Sequence, residues 1–168
     1  MKSAFVLILF LTSTFSVWAA DDFSGYVRQL SAGMPERDAV RAMRALTDAG
    51  LRAFPTLLAH LNDREPIQPS LNHRDVSGTP TVGQLCFDIL QTQIEDNWPK
   101  GFRQFYILTP GNAKQWLDDH KTLSLRQLKL TSREESLRRA EADLAAHPSD
   151  LTTKAVTFLR EEVAKLKQ

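Results

Sequence analysis

The chain reads as an all-α protein, and three observations predict that. Apolar residues recur at three- and four-residue steps along almost every segment after residue 22. No stretch alternates convincingly with the two-residue period of a strand. Helix punctuation falls where the periodic segments end: Pro35, Gly50, Thr81, Ser124 and Pro148-Ser149.

The elements follow in order. Phe23, Tyr26, Val27 and Leu30 share one face of a short first helix that ends near Gly33. Pro35 opens a second helix at the position where its missing N–H costs nothing. There Ala39, Val40, Met43 and Leu46 line the inner side, and Arg37, Arg41, Arg44 and Asp48 the outer. Gly50 ends it where the backbone needs a positive φ. A third helix begins at once, with Leu51, Phe54, Leu57, Leu58 and Leu61 as its stripe and Pro55 in its first turn or at a kink. So short a link folds the two helices back as an αα-hairpin.

Residues 64–80 hold three prolines and a glycine and read as a long irregular loop, few of whose residues are apolar: Ile67, Leu71 and Val76. Such loops in compact domains are often functional, and this one is expected to be dispensable for folding and to contribute to recognition. Thr81 caps a fourth helix with Val82, Leu85, Cys86, Ile89, Leu90 and Ile94 inward. The connector 97–108 is rich in aromatics, with Pro99-Lys-Gly101 as a turn and Phe102, Phe105, Tyr106 and Leu108 folded onto the core. A short helix covers Ala113 to His120. Ser124 then caps a long helix whose exposed side carries Glu134, Glu135, Arg138, Arg139, Glu141 and Asp143. Pro148 breaks it, and Ser149 or Asp150 caps a last helix with Leu151, Ala155, Phe158, Leu159, Val163 and Leu166 on one stripe. These two helices form a long C-terminal hairpin, with docking inside one chain as the default and a helix-mediated dimer as the alternative.

The first nineteen residues are of a different kind. Lys2 precedes the apolar run Ala4–Leu11, a small and mildly polar stretch follows, and Asp21-Asp22 closes it. That is the pattern of a secretory signal peptide. Val17 and Ala19 place cleavage after Ala19, with Ala20 as the alternative site. An uncleaved anchor is the competing reading, though the apolar core is much shorter than the roughly twenty residues of a membrane span. The protein is thus expected to be exported, to the periplasm or beyond the cell. The expected organisation is residues 1–19 as signal peptide, 20–120 as a helical domain and 121–168 as a C-terminal helical region.

Charge excludes some partners. The chain carries 21 basic and 20 acidic side chains, and loss of residues 1–19 removes Lys2 and no acid. A balanced mature chain has no field to steer it to nucleic acid or an anionic membrane. Residues 121–168 hold ten bases against seven acids, interspersed as on a solvated helix surface. Cys86 is the lone cysteine, so no intrachain disulfide forms, and its apolar helical context marks it as a buried hydrophobe rather than a nucleophile.

The segment Arg37–Asp63 resembles a HEAT-like helical repeat. Ala39-Val40-Arg41, Ala42, Ala45-Leu46, Gly50, Ala53, Pro55, Leu57-Leu58, Leu61 and Asp63 carry the likeness. Asp75, Val82, Cys86 and Ile89-Leu90 suggest a second, degenerate copy. The likeness covers about a third of the chain; the insertion at 64–80 breaks tight stacking, and the C-terminal part shows no repeat. Thr81–Leu130 also resembles exported bacterial proteins that accompany such helices, through Val82-Gly-Gln-Leu-Cys-Phe-Asp88, Trp98-Pro-Lys-Gly101 and Asn112-Ala-Lys-Gln-Trp-Leu117. The resemblance implies a HEAT-like hairpin core and a habit of binding proteins, not a chemistry. The chain is too short for a long solenoid.

Candidate sites are few. His73-Arg74-Asp75 spells the letters of a kinase catalytic loop without its Gly-rich loop, Asp-Phe-Gly or downstream Asn. His60, Asp63, His73 and Asp75 have suitable ligand chemistry but fit no known metal spacing. Glu65, Asp75, Asp88 and Glu95 are carboxylates that nothing in the sequence pairs for acid–base work. No catalytic, cofactor or metal site is therefore assigned. The expected interaction surface is Arg64, Glu65, His73, Arg74, Asp75 and Trp98, the last expected to be partly exposed beside Pro99. The leading expectation is a non-catalytic scaffold or interaction module with a protein partner, monomer rather than dimer, and no stable membrane insertion after cleavage. The alternative is a periplasmic enzyme or enzyme accessory with a pocket between loop 64–80 and connector 97–108.

Overall fold

The computed structural model describes residues 22–71, 80–96 and 98–168. The signal-peptide segment, His73, Arg74, Asp75 and Val76 lie outside the described residues. Within them the protein is all-α: α1 (Ser24–Arg28), α2 (Glu36–Ala49), α3 (Phe54–Ala59), α4 (Val82–Glu95), α5 (Ala113–Asp119), α6 (Leu125–Ala146) and α7 (Asp150–Lys167). No helix among the described residues is long and apolar enough to cross a membrane.

Local chemistry fixes the long helices. The Thr81, Ser124 and Ser149 side chains each accept a hydrogen bond from the backbone N–H three residues on, and the Gln84, Gln127 and Thr152 side chains each accept one from the cap's own N–H. Each of these reciprocal caps satisfies two otherwise orphaned donors and is worth about 1 kcal/mol. Gly50 sits at φ 58°, stopping α2 as expected.

The third helix is shorter than its sequence stripe. A 3₁₀ turn, Gly50–Ala53, takes up the first residues, and α3 runs for six residues with Pro55 in its first turn. Its fully buried side chains are Phe54 and Leu57, whereas Leu58 and Leu61 are only partly buried. The arm packs against α4, and it is much shorter than α2, six residues against fourteen. Three other stripes are rotated. Tyr26, expected inside, is exposed, and α2 turns Ala39, Ala42 and Leu46 fully inward, leaving Val40 and Met43 half-buried. In α7 the exposed Leu151 gives way to Thr152 and Val156 on the buried side.

Among the described residues there are two hydrophobic clusters. The first gathers α1 to α5, Ile67, Leu71, Ile107, Leu108 and Leu128. The second holds Trp98, Phe105, Ala140, Ala155, Val156 and Leu159, with Phe102, Tyr106 and Phe158 against it. The second cluster draws on connector and C-terminal hairpin together. Helix α7 docks on α6 of its own chain.

Candidate functional site

The irregular loop is tied down where it is described. Its segment 65–68 lies between two other backbones. Ala32 N–H donates to Pro66 O and Gln68 N–H to Leu30 O, each at 2.8 Å. On the other side Ile67 N–H donates to Pro80 O at 3.1 Å and Val82 N–H to Glu65 O at 2.8 Å. Ile67 and Leu71 are buried in the first cluster. The expectation that so polar a loop adds little to the core is corrected here, because its composition concealed two apolar anchors. Arg64 and Glu65 are exposed as expected, at the entry to the anchored segment. His60 and Asp63 face each other at 3.6 Å, and Asp63 also accepts the Glu65 N–H at 2.9 Å. That is a helix-end turn. Among the described residues no three potential ligands cluster to hold a metal.

Trp98 corrects the expectation of a partly exposed aromatic: it is 3% exposed. The connector turns inward after α4, and Trp98 packs against Tyr106 at 4.6 Å and Phe158 at 6.1 Å between ring centroids. The Arg133 guanidinium lies 4.4 Å from its ring centroid, a desolvated cation–π contact. Trp98 and the loop anchors thus belong to different clusters. At its far end the connector does meet the loop, since Ile107 and Leu108 share the first cluster with Ile67 and Leu71.

A polar junction separates the two clusters, and the sequence does not announce it. Glu95, in the last turn of α4, is fully buried. Its Oε1 accepts the backbone N–H of Ile107 at 2.5 Å, that of Leu108 at 3.2 Å and the Ser132 hydroxyl at 3.1 Å. Burial pushes its carboxyl above the ordinary range, against the lowering effect of those donors and of the neighbouring Gln91 amide. Arg133, 1% exposed, donates from Nη2 to the Glu95 carbonyl and to Asp96 Oδ2, both at 2.8 Å. Burial pulls its pKa down, opposed by Asp96, then Glu162, Glu95 and Tyr106. Lys129 joins Asp96 from the same helix face at 2.9 Å. Asp96 itself sits at φ 54°, ψ −170°, a region that side-chain-bearing residues rarely occupy. The Tyr106 hydroxyl donates to its carbonyl at 2.9 Å.

Arg133 Nε and Nη1, Trp98 Nε1, Glu95 Oε2 and Ser136 Oγ make no hydrogen bond among the described residues, and the side-chain donors that are bonded serve the Glu95 and Asp96 carboxylates and carbonyls. Elsewhere, Glu36, Arg37, Val40, Arg41 and Arg44 line a depression on α2. All five come from one convex helix face, so the described residues form a stripe there, not a cleft. Cys86 is buried with its thiol pushed up to about 12, first by burial and then by Asp63. No family model, curated protein or solved structure matches the chain.

Proposed function

We propose that the protein is a non-catalytic, exported interaction module that binds a protein partner, with Arg64 and Glu65 on the recognition face. One observation carries the reading. The irregular loop is fastened at both ends of its described part, through Ile67 and Leu71 on one side and the Pro80–Val82 backbone on the other. Arg64 and Glu65 therefore stand exposed on a fixed base rather than on a floppy tether. Exposed loops on rigid helical scaffolds serve as binding elements. The HEAT-like texture of 37–63 and the signal-peptide pattern of residues 1–19 support a protein partner met after export.

The experiment is capture from an envelope extract, with the wild type and an Arg64→Glu/Glu65→Lys double variant compared by mass spectrometry. Proteins enriched by the wild type should fall about tenfold with the double variant, on the scale of a lost surface charge contact, at an unchanged melting temperature. Identical enrichment by both would remove Arg64 and Glu65 from the recognition face. Absence of any protein enriched over a mock bait would overturn the module reading itself.

A further inference from the structure

We propose that the arginine row Arg37, Arg41 and Arg44 on α2 docks an acidic helix of the protein partner, with carboxylates at the same spacing. The proposal rests on the reading of the chain as a protein-binding module, and adds a face and the partner's chemistry. The three arginines stand at i, i+4 and i+7, so they stack along one side of α2 over about 10 Å. All are exposed, Arg37 and Arg41 by 84% and 66% of their side chains.

The row breaks two local rules without recompense inside the chain. Like charges three and four residues apart on a helix repel. A cation in the first turn opposes the helix dipole, and Arg37 lies there between Glu36 and Asp38, whose charges suit it. Among the described residues Asp38 is the one carboxylate in an ion pair with the row. It meets Arg37 and Arg41 at 3.8 Å, beyond hydrogen-bond reach. Arg44 makes no ion pair among the described residues, although Asp48 stands one turn further on. The C-terminal hairpin treats its bases differently. Arg126, also in a first turn, donates to the Leu166 carbonyl in the last turn of α7 at 2.8 and 3.1 Å. Arg160 and Lys167 hold Glu141 and Glu134 at 2.7 and 2.8 Å. On α2 the guanidinium donors are left for a ligand.

The surface within the row selects that ligand. Half-buried Val40 shares the shallow depression with the three arginines. Planar, bidentate donors around an apolar contact match an amphipathic protein helix that carries carboxylates beside an apolar residue. A phosphate polymer or an anionic bilayer would use the charge but not Val40, and the balanced mature chain supplies no field to draw either. A second copy offers no match, since no helix among the described residues carries three carboxylates at this spacing. The row also starts beside the anchored loop: Gln68 Nε2 donates to Met34 O at 2.9 Å and Ala32 N–H to Pro66 O, just ahead of α2.

The test is photo-cross-linking of the full chain in its own cells. Glu36→p-benzoylphenylalanine puts a probe beside the row, and Asn62→p-benzoylphenylalanine puts one near Arg64; both positions are exposed. The joined peptide is read by mass spectrometry. The probe at 36 should join a protein segment with carboxylates at three- and four-residue steps. Adding Arg37→Gln, Arg41→Gln and Arg44→Gln together should lower that yield at least about tenfold, three charge contacts being lost at once. Without the probe, the same triple variant should melt as high as wild type or higher, because the repulsion within the row is gone. A lower melting temperature would make the row structural and overturn the proposal. So would a joined segment poor in carboxylates, adducts only with lipid or with a second copy of this chain, or a yield that the arginine variant leaves unchanged. Protein adducts from the probe at 62 alone would overturn the docking row and leave the module reading standing. Adducts from neither probe would overturn both.

Discussion

The backbone N–H of Gly83 donates to the carbonyl of Asp63 at 3.0 Å, and the contact exists because Gly83 has no side chain. A Cβ there would stand 2.8 Å from Asp63 O and closer still to Leu61 O. Both obstacles are backbone, so neither can swing aside. The turn that ends α3 is thereby pressed onto the first turn of α4, and the loop anchored by Ile67 leaves and returns beside that contact.

Gly83→Ala should therefore destabilise the protein even though alanine favours a helix. The steric cost is about 1–3 kcal/mol, against a propensity gain of about 1 kcal/mol. The urea midpoint should fall. An unchanged or raised midpoint would mean that the 61–63 turn yields freely.

The third arm allows a paired comparison. Leu57→Ala removes a fully buried side chain and should cost about 2–5 kcal/mol. Leu58 has the same sequence credentials but is only partly buried, so Leu58→Ala should cost visibly less. Equal losses in denaturant melts would show that the helix is turned differently.

Local signals made the helices legible and left the junction dark. The reciprocal caps at Thr81, Ser124 and Ser149 are determined within four residues, so sequence order alone reveals them. The inner face of α6 is another matter. Its buried residues are Leu128, Ser132, Arg133, Ser136 and Ala140. The four-residue step is there, but serine and alanine carry no apolar signal, and small residues are what lets α7 approach. Arg133 looks like any member of a charged run until Trp98 and Asp96 arrive from a connector more than thirty residues earlier. Trp98 misleads for the same reason: its burial depends on where the chain turns after α4, which depends on tertiary partners. The loop misread has a simpler cause, since two apolar anchors suffice to bind a segment whose average composition is polar.

Replacing residues 68–77 with a Gly/Ser linker should accordingly lower the melting temperature. Leu71 leaves the first cluster, at a cost of about 2–5 kcal/mol for the side chain. Restricting the exchange to residues 72–77 spares Ile67 and Leu71 and should melt close to wild type. Equal melting of the two variants would show that Leu71 contributes nothing.

Cys86 should be inert to thiol reagents while the protein is folded and react fully in denaturant. Its folded-state pKa, raised to about 12, keeps the nucleophilic thiolate scarce at neutral pH. The unfolded thiol ionises near about 8.5. Its contribution to stability is therefore complete below that value and is lost as pH rises toward the folded one. Cys86→Ala should flatten that part of the alkaline decline, read from urea midpoints across the alkaline range.

Glu95 yields the sharpest pH test. Its carboxyl is raised by burial, so the folded protein holds the proton more tightly than the unfolded chain does. Stability from this group is full below the ordinary glutamate value, about 4.3, and falls as pH rises through the higher folded value. Glu95→Gln keeps an Oε1 to accept from Ile107, Leu108 and Ser132 but cannot ionise. The stability difference between wild type and Glu95→Gln should shift in favour of the variant as pH rises above that glutamate value, and then level off. Glu95→Ala instead leaves two buried N–H groups without an acceptor and should cost about 2–5 kcal/mol at any pH. Urea melts of the three proteins at several pH values separate the effects. A wild-type-to-Gln difference that moves the opposite way with pH would show that the donors around Oε1, not burial, set the charge state of Glu95.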